Sequence, residues 1–530
     1  MQCTCVRQTD LPNTSKLFTD LIYRFDRVKD FYPFRPNDLA ALEQAAKFTF
    51  PDARRAALVE AIRPLNEGNP SLHTLAQPGT VVVVSGQQVG LFLGPAYTIY
   101  KALTAIRIAH ELRERGIPAV PMFWLATEDH DFAEVNHTWV FGPGHSPVKL
   151  ELKPEDLTGT RPVGGIPLGD VPVAELRSAL AGLPFADEAV AMAERAYKPG
   201  ASKSVTTMGS AFASMISELF SPWGLLLVDP MLPAIRQIAA PLMKEAVERM
   251  PELADALIAR SGELRHRGYH SQVLVDGRTS LAFLLENGQR IALRRSNGEF
   301  VAPHRKWSSA ELADRAAELS PNALLRPVVQ DYLLPTAAYV GGPAELAYLA
   351  QSQVLYQKLL GRQPVAFPRA GFTLLDERSA KRMVKYRLNP VDLFCNQPAL
   401  RDTLASRLVP LELKHHLDRT RATVASALDD LGGELQRFDI TLAAALDTSR
   451  RKIEYQVAKI ARKSAAQILA KDAQAQRDAL SLHGLVFPEG HLQERLYSMV
   501  PFLAKFGPSL IGDLYSQVRV ECPDHQFVVV

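Results

Sequence analysis

Cysteine is scarce: 4 in 530 residues, Cys3, Cys5, Cys395 and Cys522, with no Cys-x-x-Cys pair among them. A dense disulfide framework is thereby excluded, and a reducing, cytoplasmic compartment is expected. No apolar run approaches the ~18 residues of a membrane span. The polar start around Asp10, Asn13 and Lys16 lacks the apolar stretch of a secretory signal. Net charge is nearly absent too, since 60 Lys and Arg against 57 Asp and Glu leave only +3. That is too little for a polyanion binder driven by counterion release, so neither a nucleic-acid partner nor a membrane is expected. Catalytic signatures are missing as well. There is no Gly-x-Ser-x-Gly elbow, no Walker A loop and no His-Glu-x-x-His zinc motif.

What is present is the composition of a large globular protein, 47% hydrophobic and 22% charged. Residues 1–78 read as a helical lead-in, with Leu17, Leu21, Leu39 and Leu42 at helical spacing. An α/β core follows over residues 79–395. Its aliphatic run at 81–84, the helical period through Tyr97, Leu103, Ile106 and Leu112, and a second apolar run at 119–126 make a strand, helix, strand unit. Residues 225–228 and 336–340 fit the same parallel sheet. Between them, Asp276-Gly277, Asn287-Gly288 and Asn297-Gly298 predict tight hairpins, hence a small inserted antiparallel meander over about residues 271–302. Residues 396–484 form a helical arm in which Leu417, Val424, Leu428, Leu431, Leu435 and Phe438 mark a heptad seam. Asp439 caps a second helix carrying Leu446, Ile453, Val457 and Ile460, so the arm is an antiparallel hairpin suited to dimerisation or a partner contact. Residues 485–530 return to pack on the core.

Ligands of open parallel sheets lie beyond the carboxyl ends of the strands, which draws attention to four segments. The first is Ser85-Gly86-Gln87-Gln88 with Gly90 and Gly94, whose backbone N–H groups could face an anion, followed by Tyr97 and by Lys101 two turns into the helix. Lys101 is equally readable as a surface lysine. The second is Glu128-Asp129-His130-Asp131 with Glu134 and His137; if helical, His130, Glu134 and His137 share a face. Acid/base contact, loop capping and a metal site are all open there, and the metal content is left unknown. The third is Gly341-Gly342-Pro343-Ala344-Glu345, where Glu345 could receive a substrate ammonium or cap the helix dipole. The fourth holds Arg369, a partner for a carboxylate or phosphate.

In order and in length, these motifs resemble the BshC family, cysteine-adding enzymes of bacillithiol biosynthesis. The resemblance rests on Ser85-Gly86-Gln87-Gln88 through Gly94-Pro95-Ala96-Tyr97-Thr98-Ile99-Tyr100-Lys101, Phe123-Trp124-Leu125-Ala126-Thr127-Glu128-Asp129-His130-Asp131, Gln330-Asp331, Gly341-Gly342-Pro343-Ala344-Glu345, Pro368-Arg369 and Gln493-Glu494-Arg495. It implies a Rossmann-like core with insertions and a coiled-coil arm used for homodimerisation. It also implies the ligation of L-cysteine to the glucosamine amine of glucosaminyl malate, with ATP as the co-substrate that activates the carboxyl. On that reading Gly86 to Gly94 and Lys101 hold phosphate or carboxylate, Asp129, His130 and Asp131 orient or deprotonate the amine, and Glu345 and Arg369 position charged substrate ends. The His-Ile-Gly-His and Lys-Met-Ser-Lys-Ser motifs of class I synthetases are absent. The alternatives are a nucleotidyl- or glycosyltransferase using the same crevice, or a non-enzymatic coiled-coil scaffold.

Overall fold

The computed structural model describes residues 2–153, 160–198, 206–303 and 305–530. Its central sheet has five parallel strands: β1 (Val81–Gln87), β2 (Ala119–Leu125), β3 (Leu226–Val228), β4 (Thr336–Gly341) and β5 (Val365–Pro368). Their order across the sheet is 3-2-1-4-5. The winding therefore runs outward both ways from β1, and the point where it reverses lies between β1 and β4, where such sheets bind ligands. The strands are aliphatic because both sheet faces are covered. Alternation sorts their side chains: Val82, Val84, Val120, Met122 and Trp124 enter one core, whereas Val81, Val83 and Ala119 enter another. Helix α1 (Tyr97–Glu114) links β1 to β2, α2 (Arg326–Leu333) precedes β4, and α3 (Pro343–Leu359) links β4 to β5.

The expected lead-in helices are Lys16–Tyr23, Leu39–Ala45, Asp52–Ile62 and Ser71–Ala76. The first residues behave differently. Gln2–Val6 is a strand paired antiparallel with His525–Val529, which runs parallel to Gly371–Leu375. Its pairing partner is the opposite end of the chain, which no local pattern reveals.

The inserted meander is built from Thr279–Glu286, Gln289–Ser296 and Glu299–Ala302. Asn287, Gly288, Asn297 and Gly298 take φ of 52°, 73°, 53° and 81°, the left-handed turn geometry that an Asn-Gly pair supplies. Arg305–Trp307 and Leu319–Pro321 extend it to five strands. The stretch before Thr279, expected within the meander, forms no strand, so Asp276-Gly277 closes no hairpin: the Val273 N–H donates instead to the Gln351 side chain at 2.9 Å.

The arm consists of α4 (Leu411–Phe438) and α5 (Ile440–Lys471), of 28 and 32 residues, hence about 42 and 48 Å long. Asp439 separates them, its carboxylate accepting the Thr441 N–H at 2.7 Å. No residue of α4 is buried. Among the described residues no helix is long and apolar enough to cross a membrane.

Candidate active site

The loops after β1, β2 and β4 open onto a single crevice of about 670 Å³ at the reversal point of the sheet. Gly86, Gln87, Gln88, Tyr97, Lys101, Asp129, His130, Gly342, Glu345 and Arg369 line it. Ser85 lies beneath, where its hydroxyl donates to the Val340 carbonyl at 2.8 Å and ties β1 to β4. Gly90 and Gly94 face a side recess of about 150 Å³, and Gly341 a cavity of about 350 Å³ on the other side of the α3 N-terminus. Asp131 is outside the walls: it is exposed and caps the short helix Phe132–Val135 by accepting the Glu134 N–H at 3.2 Å. His137 does not share a helix face with His130. The run His137–Phe141 is rich in β-branched and aromatic residues, and it pairs as a strand with Pro147–Glu151.

Lys101 is the centre of the β1–β4 junction. Its buried ammonium donates to the Gly86 carbonyl at 3.0 Å and the Gln87 side-chain oxygen at 2.8 Å, and pairs with Glu345 at 2.5 Å. An ammonium has three N–H groups, so none remains for a substrate. Glu345 is occupied in the same way: it accepts the Gly342 N–H at 2.8 Å, capping α3, and the Tyr339 hydroxyl at 3.1 Å. Burial favours its neutral acid, but Lys101 and the Gly342 N–H outweigh burial and hold the carboxyl below the usual range. The pair is thus a strut that fixes the first turn of α3 against β1.

The glycine-rich loop is likewise closed on itself. The N–H groups of Gly90, Phe92, Gly94 and Ala96 donate to Gln88 O, the Tyr197 hydroxyl, Leu91 O and Tyr497 O at 2.7–3.0 Å. Glycine is needed for contact between chain segments. A Cβ on Gly86 would come within 2.7 Å of the Trp124 carbonyl, and Gly94 has φ +60°. Anion donors in the crevice lie elsewhere. The N–H groups of Ala344 and Glu345 precede the first intrahelical bond of α3, Leu346 N–H to Gly342 O, so this helix presents its positive end to the crevice.

The β2 loop supplies the titratable wall. Asp129 accepts the His130 N–H at 2.7 Å on one oxygen and the Gln88 amide at 2.7 Å on the other; that amide also reaches Glu134 at 2.6 Å, so Gln88 straps the β1 loop to the β2 loop. Glu128 is buried, and burial pushes its carboxyl up against the opposing pull of Arg290 and of the Ser320 hydroxyl at 2.8 Å. Its other oxygen has no partner among the described residues.

Two family models divide the chain between them: "Bacillithiol biosynthesis BshC, N-terminal Rossmann-like domain" matches residues 1–370, and "Bacillithiol biosynthesis BshC, C-terminal coiled-coil domain" matches residues 372–530. The chain belongs to the BshC family. A Solibacter usitatus protein named "Putative cysteine ligase BshC" is 54% identical over the whole of both chains. A Koribacter versatilis protein of the same name is 34% identical over 99% of each. A Campylobacter jejuni structure described as a "putative arginyl t-RNA synthetase" covers 87% of this chain and 98% of its own at 10% identity, but its TM-score of 0.21 carries no argument.

In this BshC-family crevice, the cations beyond Lys101 are Arg290, Arg326, Arg369 and Arg495. Arg369, the only one of the four singled out from sequence as a site residue, is held in a buried two-pronged pair with Glu494 at 2.9 and 2.6 Å, and its Nε has no partner among the described residues. Arg326 donates to the Tyr339 hydroxyl at 2.9 Å and Gln330 at 3.1 Å. The Arg495 side chain makes no hydrogen bond or ion pair among the described residues, and its guanidinium lies 5.9 Å from the Tyr97 ring centre. Sequence reasoning missed Arg290 because it sits within an ordinary alternating hairpin strand, where only its burial marks it. Arg326 opens a helix as any capping residue might, and Arg495 was noticed only as part of a motif. Among the described residues no group of three or more His, Cys, Asp or Glu is arranged to hold a metal ion.

Proposed function

We propose that this chain joins the carboxyl of L-cysteine to the glucosamine amine of glucosaminyl malate, the last step of bacillithiol formation, with ATP activating the carboxyl. The observation that carries this reading is the convergence of three strand-end loops on one crevice holding four arginines, a helix N-terminus and the Asp129-His130 pair. Each substrate brings negative charge: the cysteine carboxylate, the malate dicarboxylate and the triphosphate. The crevice answers with cations. Its volume of about 670 Å³ falls within the ~300–1,000 Å³ of small-molecule sites. Arg495, Arg326 and the N-terminal amides of α3 are the groups suited to phosphate and carboxylate oxygens.

A free carboxylate is not an electrophile. ATP converts it to a mixed anhydride, releasing pyrophosphate or ADP. The amine then attacks the carbonyl, the C–N bond forms, the C–O bond to phosphorus-bound oxygen breaks, and the amine proton passes to a base. Asp129, on the crevice wall with an ionisable carboxylate, fits that role. The same reading gives the arm a partner, a second copy of the chain. Its support is the apolar surface that α4 and α5 leave in solvent, including Leu431, Phe438, Ile440 and Ile453.

Metabolite analysis after deletion of the gene in its own host tests the reading. Accumulated glucosaminyl malate with no bacillithiol is the expected result. Unchanged thiols would instead favour a transferase or a scaffold.

A further inference from the structure

We propose that Arg290, delivered by the inserted meander, fixes the neutral proton of His130 on Nε2 and so makes this imidazole a hydrogen-bond donor rather than a proton acceptor. The Arg290 guanidinium lies 3.0 Å from His130 Nδ1. A guanidinium has N–H donors only and keeps its charge, so Nδ1 supplies the lone pair. Asp129 does not compete for a proton there. Its nearer oxygen is 3.6 Å from Nδ1, beyond hydrogen-bond range, and is already taken by the His130 backbone N–H.

Neither partner is free to turn away. Arg290 is also held by the Ser320 hydroxyl oxygen at 3.1 Å and the Pro321 carbonyl at 2.9 Å, and its side chain is 8% exposed. Its guanidinium lies 3.9 Å from the Phe283 ring centre, and the His130 ring packs on the same Phe283 at 5.6 Å. A proton on Nδ1 would set donor against donor at 3.0 Å, and protonation of both ring nitrogens would add cation against cation. The remaining nitrogen, Nε2, has no partner among the described residues, on a ring that lines the crevice. In the ligation, such an N–H matches the carbonyl oxygen of activated cysteine as it gains negative charge, and the amine proton goes to a carboxylate. That consequence rests on the ligase reading; the tautomer does not. Arg290 is a positioning residue, acting through His130.

The test is solid-state nitrogen NMR of the full-length protein labelled with ¹⁵N-histidine, the His130 signals being those lost in His130→Gln. The wild type is expected to show Nε2 protonated and Nδ1 bare. Arg290→Met should show both tautomers, whereas Arg290→Lys, which keeps a donor, and Ser320→Ala, which leaves the His130 contact, should keep Nε2–H alone. In turnover assays Arg290→Met should lose about 10²-fold in kcat with little change in KM, and Arg290→Lys should recover most of it. A proton on Nδ1 in the wild type overturns the proposal, as does a single Nε2–H tautomer in Arg290→Met. Should Arg290→Met not fold, the wild-type, Arg290→Lys and Ser320→Ala spectra decide. A wild type with the Nε2–H tautomer and no ligase activity would sink the ligase reading and leave the proton assignment standing.

Discussion

The crevice and the arm handle exposure in opposite ways. In the crevice a lysine side chain is 2% exposed and every one of its protons is spoken for by the protein. In the arm, Phe438 and Ile440 stand 82% and 78% exposed, with no described side chain over them. Charge hidden and matched within one chain makes a rigid, over-determined site, because each removal strands a partner. Apolar surface left uncovered makes an element whose geometry is completed from outside. The two regions should therefore fail differently when changed.

The largest separation should appear in catalysis. His130→Ala is expected to lower kcat by about 10²- to 10³-fold while costing less than about 1.5 kcal/mol of stability, as read by turnover and thermal melts. Equal loss of both would make the site merely structural. Next come the ion pairs. Arg369→Met strands the buried Glu494 and should cost about 3–5 kcal/mol in urea unfolding, whereas Lys101→Met removes the cation from the half-buried Glu345 and should cost about 1.5–3 kcal/mol. A small cost would mean that these carboxylates take up a proton freely.

In the arm the expectation reverses. Leu431→Glu combined with Ile453→Glu should convert a dimer to a monomer in sedimentation while moving the unfolding of the body by less than about 0.5 kcal/mol. An unchanged dimer would place the contact elsewhere. The smallest effect is a slope. Burial favours neutral Glu494, but Arg369 outweighs it and holds the folded-state carboxyl below its ordinary value. The unfolded chain then binds the proton more readily below about pH 4.3, so this contribution is complete above that pH and is lost as pH falls. Glu494→Gln should flatten the acid limb of the stability curve, and the arm double variant should leave it intact.

How much of this was legible in the sequence depended on the range of the interaction. The strand runs of the central sheet, the Asn-Gly turns, the Asp439 cap and the two arm helices are set by neighbours a few positions apart and appear in the structure, whereas the run 273–275 forms no strand and Leu431, Phe438 and Ile453 of the expected seam stand in solvent. Gln2–Val6 pairs with the far end of the chain and gave no local sign. The crevice itself followed from strand-end loops, but residue roles did not. Gly90 and Gly94 look like an anion loop in sequence, yet their N–H groups are consumed by nearby carbonyls. Lys101 and Glu345 look like substrate contacts until they are seen to hold each other. Arg290 becomes visible only when the meander folds over the crevice and sets its guanidinium against His130.

The most direct test of the account gives purified protein ATP, glucosaminyl malate and cysteine carrying ¹⁸O in both carboxyl oxygens, and follows the products by mass spectrometry. The account predicts a thiol with the mass of the two substrates less one water, one ¹⁸O retained in its amide and the other in AMP or phosphate. Nucleotide consumed without that thiol, or the thiol formed with no label passed to the nucleotide products, would contradict it.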